Sequence, residues 1–161
     1  MDNRLWAWPG LAGVLRLLAG VTDETTSPVD TAPQRLVAES LAGPVTAVVD
    51  RVVDGDTIEM KARIWLGQSL TVRVRIDGVD APELEARCSE ERRMALAARD
   101  YLARRLLGAE VKLSRVAYDK YGGRVRASVA DSHGDIAEAL LAEGFARAYA
   151  GERRQPWCAT G

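Results

Sequence analysis

The sequence predicts an α+β fold, a five-stranded Greek-key β-barrel of the OB type with two or three helices. Three observations lead to this prediction. Five short segments rich in valine and other strand-forming residues are bounded by turn residues. One long segment with apolar residues at helical spacing falls between the third and the fourth, and a shorter one follows the fifth. Elements in this order fit a small closed barrel.

Each predicted element begins and ends at a local signal. The strands are expected at residues 45–53, 57–65, 70–76, 110–116 and 125–130. The first helix is expected at 89–107, with arginines on its outer face and Gly108 at its end. The second is expected at 136–143, where Asp135 is the N-cap.

The part of the chain before these elements is predicted to consist of two pieces. In the N-terminal segment 1–21, a mildly apolar run from Leu5 to Val21 is interrupted by Pro9 and Arg16, which is too broken a pattern for a transmembrane helix. A weak signal peptide, an anchor and an amphipathic helix all remain open. Residues 22–44 are predicted to be a linker, with a short helix at 34–41. The folded domain is expected at 45–161.

Length and composition indicate one globular domain with an extension. The chain has 161 residues, of which 47% are hydrophobic and 28% charged, and its net charge is −1. Overall charge therefore does not indicate a nucleic-acid partner. Basic residues are concentrated between residues 87 and 126, and such a cluster attracts polyanions even on a neutral protein. A solvated helix face explains the same arginines equally well.

Charged side chains of the types that bind metals and catalyse reactions are concentrated between residues 54 and 83. Asp54-Gly55-Asp56-Thr57 is typical of a hairpin turn. Asp80-Ala81-Pro82-Glu83 is typical of a helix N-terminus, in which the glutamate reaches back to the N-cap. Each piece alone therefore has a structural interpretation.

Taken together, the same residues predict a cation site. Strand periodicity turns Arg75 away from the valine and isoleucine face of its strand. If this strand and the strand after Asp56 are neighbours, Asp56, Asp80 and Glu83 meet beside Arg75. Three carboxylates this close repel one another unless a cation lies among them, and a hard divalent ion with oxygen ligands meets that need.

Three motifs in order resemble the signature motifs of the staphylococcal nuclease (thermonuclease-like) family. They are Val53-Asp54-Gly55-Asp56-Thr57, Arg75-Ile76-Asp77-Gly78-Val79-Asp80-Ala81-Pro82-Glu83, and Asp119-Lys120-Tyr121-Gly122-Gly123-Arg124. The similarity runs from about residue 45 to 149. Each motif alone is a weak signal, but three at matching spacing make a specific one. The resemblance implies an OB-type barrel and a phosphodiester-hydrolysing activity.

The resemblance also implies a role for each residue of the motifs. Asp56, Asp80 and the carbonyl of Ala81 would bind Ca²⁺. Glu83 would orient or deprotonate the attacking water, and Arg75 and Arg124 would bind the phosphate. Arg124 takes this role only if Gly123 is an extra residue in its loop, and Arg126 is the rival because it points to the same face.

Further residues would support the site or contact the nucleotide. Lys120 and Tyr121 would line the nucleotide pocket, and Tyr149 stands one position away from another pocket tyrosine of the family. Asp54 would support the metal ligands from behind. Thr57 would hydrogen-bond near the metal or simply begin a strand.

The cysteine and histidine content limits other chemistry. Two cysteines and one histidine, His133, are too few for a structural zinc site. Cys88 and Cys158 would either stay free thiols or form a disulfide closing a loop of roughly 70 residues, worth about 4 kcal/mol. The disulfide would tie down the C-terminal tail, where the family's third helix has little room.

The function that we expect is Ca²⁺-dependent hydrolysis of DNA, RNA or both by a metal-dependent nuclease. The alternative is a non-catalytic OB-fold module that binds nucleic acid or protein. Such a module has no need for the full charged set, and all of its members are present: Asp56, Arg75, Asp80, Glu83 and Arg124. A membrane-tethered structural protein would rest on residues 5–21 alone.

The expected nuclease function also indicates the partners and the location of the protein. We expect a monomer that acts on nucleic acid, with membrane association through the N-terminal segment as an open alternative. A site with so few carboxylates binds Ca²⁺ weakly, which suits a calcium-rich environment. A secreted, periplasmic or membrane-anchored location is therefore expected in preference to the cytoplasm.

Overall fold

The computed structural model describes residues 39–158. The strands in this part of the chain are β1 (Ser40–Leu41), β2 (Val45–Val52), β3 (Thr57–Trp65), β4 (Gln68–Ile76), β5 (Val79–Asp80), β6 (Glu110–Tyr118), β7 (Val125–Asp131), β8 (Gly134–Asp135) and β9 (Arg147–Ala148). The helices are α1 (Ser89–Leu106) and α2 (Ile136–Ala142).

Five of these strands close into a barrel. Strands β2, β3 and β4 form an antiparallel meander, and β4 then pairs with β7 in parallel. Strand β7 pairs antiparallel with β6, and β6 pairs antiparallel with β2, which closes the ring. The predicted α+β fold with a five-stranded OB-type barrel is thereby confirmed. Each of the five strands lies where the sequence predicts it, with shifts of two residues or fewer at the ends.

The barrel is filled by the inward residues of its strands. Along β3, Ile58, Met60 and Ala62 are buried while Lys61 between them is exposed, as the two-residue period of a strand requires. Leu102 and Leu106 of α1 belong to the same core. Burial of each large side chain stabilises the fold by about 1.5–3 kcal/mol. This packing fixes the positions of the strands whose ends carry the charged side chains described below.

Helix α1 begins at Ser89, as its helical spacing predicts, and no helix begins at Asp80-Ala81-Pro82-Glu83. Its N-cap is Cys88, whose sulfur accepts from the Glu91 backbone N–H at 3.4 Å. Glu91 in turn accepts from the Arg87 N–H at 3.1 Å, so the side chain that reaches back is Glu91. The helix-start interpretation of Asp80-Ala81-Pro82-Glu83 is therefore wrong, and Glu83 is left for another role.

The region before β2 differs from the sequence expectation at one point. Ser40–Leu41, predicted as the end of a short helix, pairs as strand β1 with Val116 and Ala117 of β6. A backbone already paired with a neighbouring strand cannot also form helical hydrogen bonds. The remainder of that predicted helix, the apolar segment 1–21 and linker residues 22–38 lie outside the described residues. Within residues 39–158, neither helix is long and apolar enough to cross a membrane.

The C-terminal tail is tied to the start of α1. Cys88 and Cys158 form a disulfide with their Cα atoms 6.1 Å apart. Between α2 and this disulfide, Ala148 of β9 pairs with Val79 of β5. From residue 143 to 158 the described chain contains no further helix. The tail consequently crosses the barrel end that carries Asp80.

Candidate active site

A cleft of about 920 Å³ opens at one end of the barrel. The predicted site residues that line it are Asp54, Asp56, Thr57, Arg75, Glu83, Lys120, Tyr121, Arg124 and Tyr149. Asp80 and Ala81 lie buried directly behind them. The structure therefore brings the predicted metal, phosphate and nucleotide residues to one place, whereas Cys88 and Cys158 lie at the start of α1.

The turn between β2 and β3 positions Asp56. The N–H groups of Val53 and Asp54 donate to the Thr57 carbonyl at 2.9 and 3.2 Å, and the Asp54 carboxylate accepts from the Asp56 N–H at 3.0 Å. A Cβ on Gly55 would lie 2.8 Å from the Cβ atoms of Ala81 and Ala98. Only glycine therefore lets this turn approach the rest of the site so closely.

Arg75 lies opposite this turn because β3 and β4 pair with Thr57 beside Arg75. Its Nη1 donates to both carboxylate oxygens of Asp56 at 2.7 Å. Its Nη2 donates to the Val79 carbonyl at 3.1 Å and lies 3.7 Å from Asp80 Oδ1. One guanidinium thus bridges the two carboxylates that were predicted to bind a metal.

Asp56 itself is almost completely enclosed, with 4% of its surface exposed. It also accepts from the Thr57 hydroxyl at 3.0 Å and from the Ala81 N–H at 3.1 Å. Burial raises the pKa of Asp56 to about 6, the Arg75 charge opposes this rise, and the Asp54 charge adds to it. A further cation beside Asp56 would favour its ionised form.

The donor set fits a hard divalent cation by its chemistry. Asp56, Asp80 and the Ala81 carbonyl offer oxygen atoms alone, the ligand type that Ca²⁺ prefers. The carboxylates do not meet at one point, because guanidinium groups separate them. Among residues 39–158, the one group of three acidic, histidine or cysteine side chains with ligand atoms within 4.8 Å of one another is Cys88, Glu91 and Cys158. Two of its members are bonded to each other, so their sulfurs are not available as thiolates.

Arg154 of the C-terminal tail contacts the carboxylate cluster, which consists of Asp80, Glu83 and the Ala81 carbonyl. The sequence predicted no role for this residue. Its Nε donates to Asp80 Oδ1, its Nη1 to Glu83 Oε1, and its Nη2 to the Ala81 carbonyl at 3.0 Å. Burial lowers the pKa of Arg154, but the hydrogen bond and charge of Glu83 outweigh it and raise the pKa above its usual value. The sequence feature that points towards this contact is Cys158, four residues after Arg154, because a disulfide with Cys88 brings the tail back to the barrel.

Glu83 lies in the loop between β5 and α1, with 46% of its side chain exposed. It faces the cleft and pairs there with Arg154. It caps no helix. Its carboxylate is therefore accessible to water and to a ligand in the cleft.

The loop between β6 and β7 places Arg124 in the same cleft as Arg75. Arg124 Nε donates to Asp119 Oδ2, and its guanidinium lies 4.9 Å from the centre of the Tyr121 ring. Gly123 has φ +82°, a left-handed conformation that glycine adopts readily. The loop turns there, and the Arg124 side chain that follows lines the cleft.

The rival Arg126 also borders the cleft but is more exposed. Its Nη1 donates to Asp77 at 3.3 Å, and its side chain is 53% exposed, against 22% for Arg124. Arg126 stands beside Arg75 in the parallel β4–β7 pairing. Arg124 is the more enclosed of the two arginines.

Aromatic and basic side chains line the open side of the cleft. Lys120 Nζ lies 5.1 Å from the centre of the Tyr121 ring, and this ring is exposed. Tyr149 is held by its N–H, which donates to the Gly78 carbonyl at 2.9 Å, and its ring lies 5.9 Å from the Arg75 guanidinium. Exposed rings beside cations are the usual surfaces for stacking nucleobases.

Two comparisons with known proteins agree with this geometry. The model of a family described as staphylococcal nuclease homologue matches residues 73–157, just over half of the chain. Endonuclease YhcR of Bacillus subtilis (strain 168) is 33% identical over 118 residues, which cover 68% of this chain and 9% of that protein. The chain therefore spans less than a tenth of this relative's length, and the similarity concerns that part alone.

Proposed function

This chain belongs to the staphylococcal nuclease homologue family, and we propose that it is a Ca²⁺-dependent nuclease that hydrolyses phosphodiester bonds in DNA, RNA or both. Membership confirms the resemblance that the three motifs indicated. One observation carries the proposal: Asp56, Asp80, Glu83, Arg75 and Arg124 meet around a single cleft. A non-catalytic binding module would have no use for this combination.

The proposed cation site consists of Asp56, Asp80 and the Ala81 carbonyl. Bound Ca²⁺ would supply positive charge to a phosphate oxygen in the cleft. Asp54 and Thr57 support this site, since both hydrogen-bond to Asp56. Because Asp56 is almost completely buried, each positive charge added beside it stabilises its ionised form.

The proposed catalytic groups are Glu83, Arg75 and Arg124. Glu83 takes a proton from the attacking water, whose oxygen forms the new bond to phosphorus. Arg75 and Arg124 donate to the equatorial phosphate oxygens as negative charge grows on them, a task suited to planar guanidinium groups. The bond from phosphorus to the 5′ oxygen breaks, that oxygen takes up a proton, and the phosphate stays on the 3′ end.

Nucleotide contacts are assigned to the open side of the cleft. The exposed Tyr121 ring stacks on a base, and Lys120 attracts the neighbouring phosphate. Tyr149 contacts the sugar or base from the other wall. Stacking and phosphate contacts tolerate any base sequence. We therefore expect a preference for single strands rather than for one base.

We also propose a location outside the cytoplasm. The Cys88–Cys158 disulfide supports it, because such bonds persist in oxidising compartments. A site with two carboxylates and one carbonyl also suits an environment rich in calcium.

The test is cleavage of end-labelled single-stranded DNA and RNA with Ca²⁺, compared with the same mixtures in chelator. We expect calcium-dependent products that carry 3′-phosphates. Double replacement of Asp56 and Asp80 by Asn should abolish calcium dependence together with cleavage. Binding of single strands without cleavage under any divalent ion would favour the non-catalytic module instead.

A further inference from the structure

We propose that Arg154 is an internal competitor for the cation, and that the tail carrying it limits calcium binding until the guanidinium leaves the carboxylate cluster. This inference rests on the proposed function, since it concerns the same cation site. It assigns a regulatory role to a residue that no signature motif contains.

The contacts of Arg154 support this role. Each of its three guanidinium nitrogens donates to a different acceptor, on Asp80, Glu83 and Ala81. Two of these acceptors are proposed calcium ligands, and the third is the proposed base. An arginine that served solubility alone would not direct all three guanidinium nitrogens at one functional cluster.

The same tail also occupies the second oxygen of Asp80. Trp157 Nε1 donates to Asp80 Oδ2 at 3.3 Å, while Arg154 holds Oδ1. Both oxygens of this ligand are therefore engaged by the tail. A divalent cation entering here would also meet the positive charge of Arg154 at close range, where charge repulsion in a partly buried site is strong.

The fold keeps the tail close to the cluster. Cys158 is bonded to Cys88, and Arg147 of β9 stacks on Trp157 at 3.7 Å and donates to the Pro156 carbonyl at 3.2 Å. These attachments on both sides of Arg154 give its side chain a high effective concentration at the cluster.

Arg154 can nevertheless leave without unfolding of the barrel. Its side chain is 39% exposed, and residues 151–156 are all exposed. A rotation of this side chain into solvent removes its hydrogen bonds to Asp80, Glu83 and the Ala81 carbonyl together, while Trp157 still donates to Asp80 Oδ2. The apparent dissociation constant for the cation is then the intrinsic constant divided by the fraction of molecules in which Arg154 has left.

The first experiment measures cation affinity directly rather than nuclease activity. Tb³⁺ serves as a luminescent substitute for Ca²⁺, excited through Trp157, and calorimetry with Ca²⁺ gives a second value. The full chain is compared with Arg154→Gln and with Arg153→Gln, which removes the same charge from the exposed neighbouring arginine. We expect Arg154→Gln to bind both cations at least tenfold more tightly, and Arg153→Gln to stay within twofold of the wild type.

The outcomes separate this inference from the proposed function. Equal or weaker binding by Arg154→Gln overturns the role of Arg154 while the cation site stands. Equal gains in the two variants also overturn it, because the effect is then one of general charge. Absence of Tb³⁺ and Ca²⁺ binding in every protein rejects the calcium site itself, and the inference with it.

The second experiment releases the tail. The double variant Cys88→Ser, Cys158→Ser lowers the effective concentration of Arg154 without changing any charge in the cleft. We expect its Ca²⁺ affinity to rise, and the addition of Arg154→Gln to this variant to give less than a twofold further gain. An unchanged affinity in the double cysteine variant, with a far-ultraviolet dichroism spectrum like that of the wild type, contradicts the role of the tail.

Discussion

Arg75 donates to both carboxylate oxygens of Asp56 at 2.7 Å. The arginine proposed to bind phosphate is therefore held by the carboxylate proposed to bind calcium. A cation bound at the proposed site would compete with Arg75 for the same oxygens, weaken this pair and make the guanidinium available to a phosphate. The pair would thus link cation binding to substrate binding through one side chain.

Replacement of Arg75 by Ala should lower kcat by about 10²–10³-fold, because one preorganised donor to the developing phosphate charge is lost. Stability should fall as well, since Asp56 is left buried with fewer partners. Steady-state kinetics and thermal melts measure the two effects separately. Arg73→Ala is the matched control, because Arg73 lies on the same strand and pairs with Glu59 away from the cleft. An Arg75→Ala enzyme within threefold of wild-type kcat would contradict the phosphate role.

Replacement of Glu83 by Gln should lower kcat by at least 10²-fold with little change in thermal stability. Glu83 caps no helix, and its partly exposed side chain needs no partner for folding. Glu85→Gln, an exposed neighbour in the same loop, should leave both quantities unchanged. A loss of activity that follows a matching loss of the folded state would return Glu83 to a structural role.

Arg124→Ala should reduce kcat by about 10²-fold, whereas Arg126→Ala should cost less than fivefold. Removal of a transition-state donor has the larger effect, and Arg124 is the more enclosed of the two arginines. The same kinetic assay on both variants makes each the control of the other. A crippled Arg126→Ala beside a nearly normal Arg124→Ala would mean that Gly123 is not the extra residue of the loop.

Gly55→Ala should lower the free energy of unfolding by about 1–3 kcal/mol, because its Cβ would overlap the Cβ atoms of Ala81 and Ala98 at 2.8 Å. Calcium affinity should fall with it, since the turn carries Asp56. Chemical denaturation and calorimetry provide the two values. Gly122→Ala is the control, because nothing lies within 4 Å of its added Cβ. A Gly55→Ala protein as stable as the wild type would rule out the close approach.

Asp131 should make part of the stability dependent on pH. Arg105 donates to its two oxygens at 2.7 and 2.9 Å, and this hydrogen bonding lowers the pKa of Asp131 from 3.8 to about 2. A folded-state pKa below the unfolded value stabilises the protein at neutral pH, and this contribution is lost as the pH falls from about 4 to 2. With allowance for solvent screening, its size at pH 7 is about 1 kcal/mol.

Denaturant unfolding of the wild type and Asp131→Asn tests the pH dependence. The stability difference should be present at pH 7, roughly halved near pH 3 and almost gone near pH 2. Asp135→Asn provides a comparison with a nearby carboxylate, the cap of α2, that is not paired with an arginine in the described structure. A difference for Asp131→Asn that is constant from pH 7 to pH 3 would argue against the ion pair.

The sequence predicted the strands and helices of the barrel because their signals are local. Alternating apolar residues specify β3, helical spacing specifies α1, and Asp135 was correctly predicted as the N-cap of α2. The error at Ser40–Leu41 has a different cause. Whether a short segment becomes a strand depends on a free neighbouring edge, and β6 supplies that edge more than seventy residues later in the chain.

The Asp80–Glu83 motif illustrates the same limit at the site. Asp80-Ala81-Pro82-Glu83 has the residues of a helix N-terminus, although helical spacing correctly begins α1 at Ser89. The pairing of Val79 and Asp80 with β9 holds the start of the motif extended, so no helix begins there.

The sequence by itself determined the barrel, the order of its elements and the charged residues that gather in the cleft, because periodicity and motif spacing are written along the chain. The tertiary structure decided how those charges are satisfied. Asp56 pairs with Arg75, and Arg154 pairs with Asp80, a residue 74 positions away in the sequence. Such contacts depend on how the closed barrel and the disulfide fold the tail back, and no local pattern carries that information.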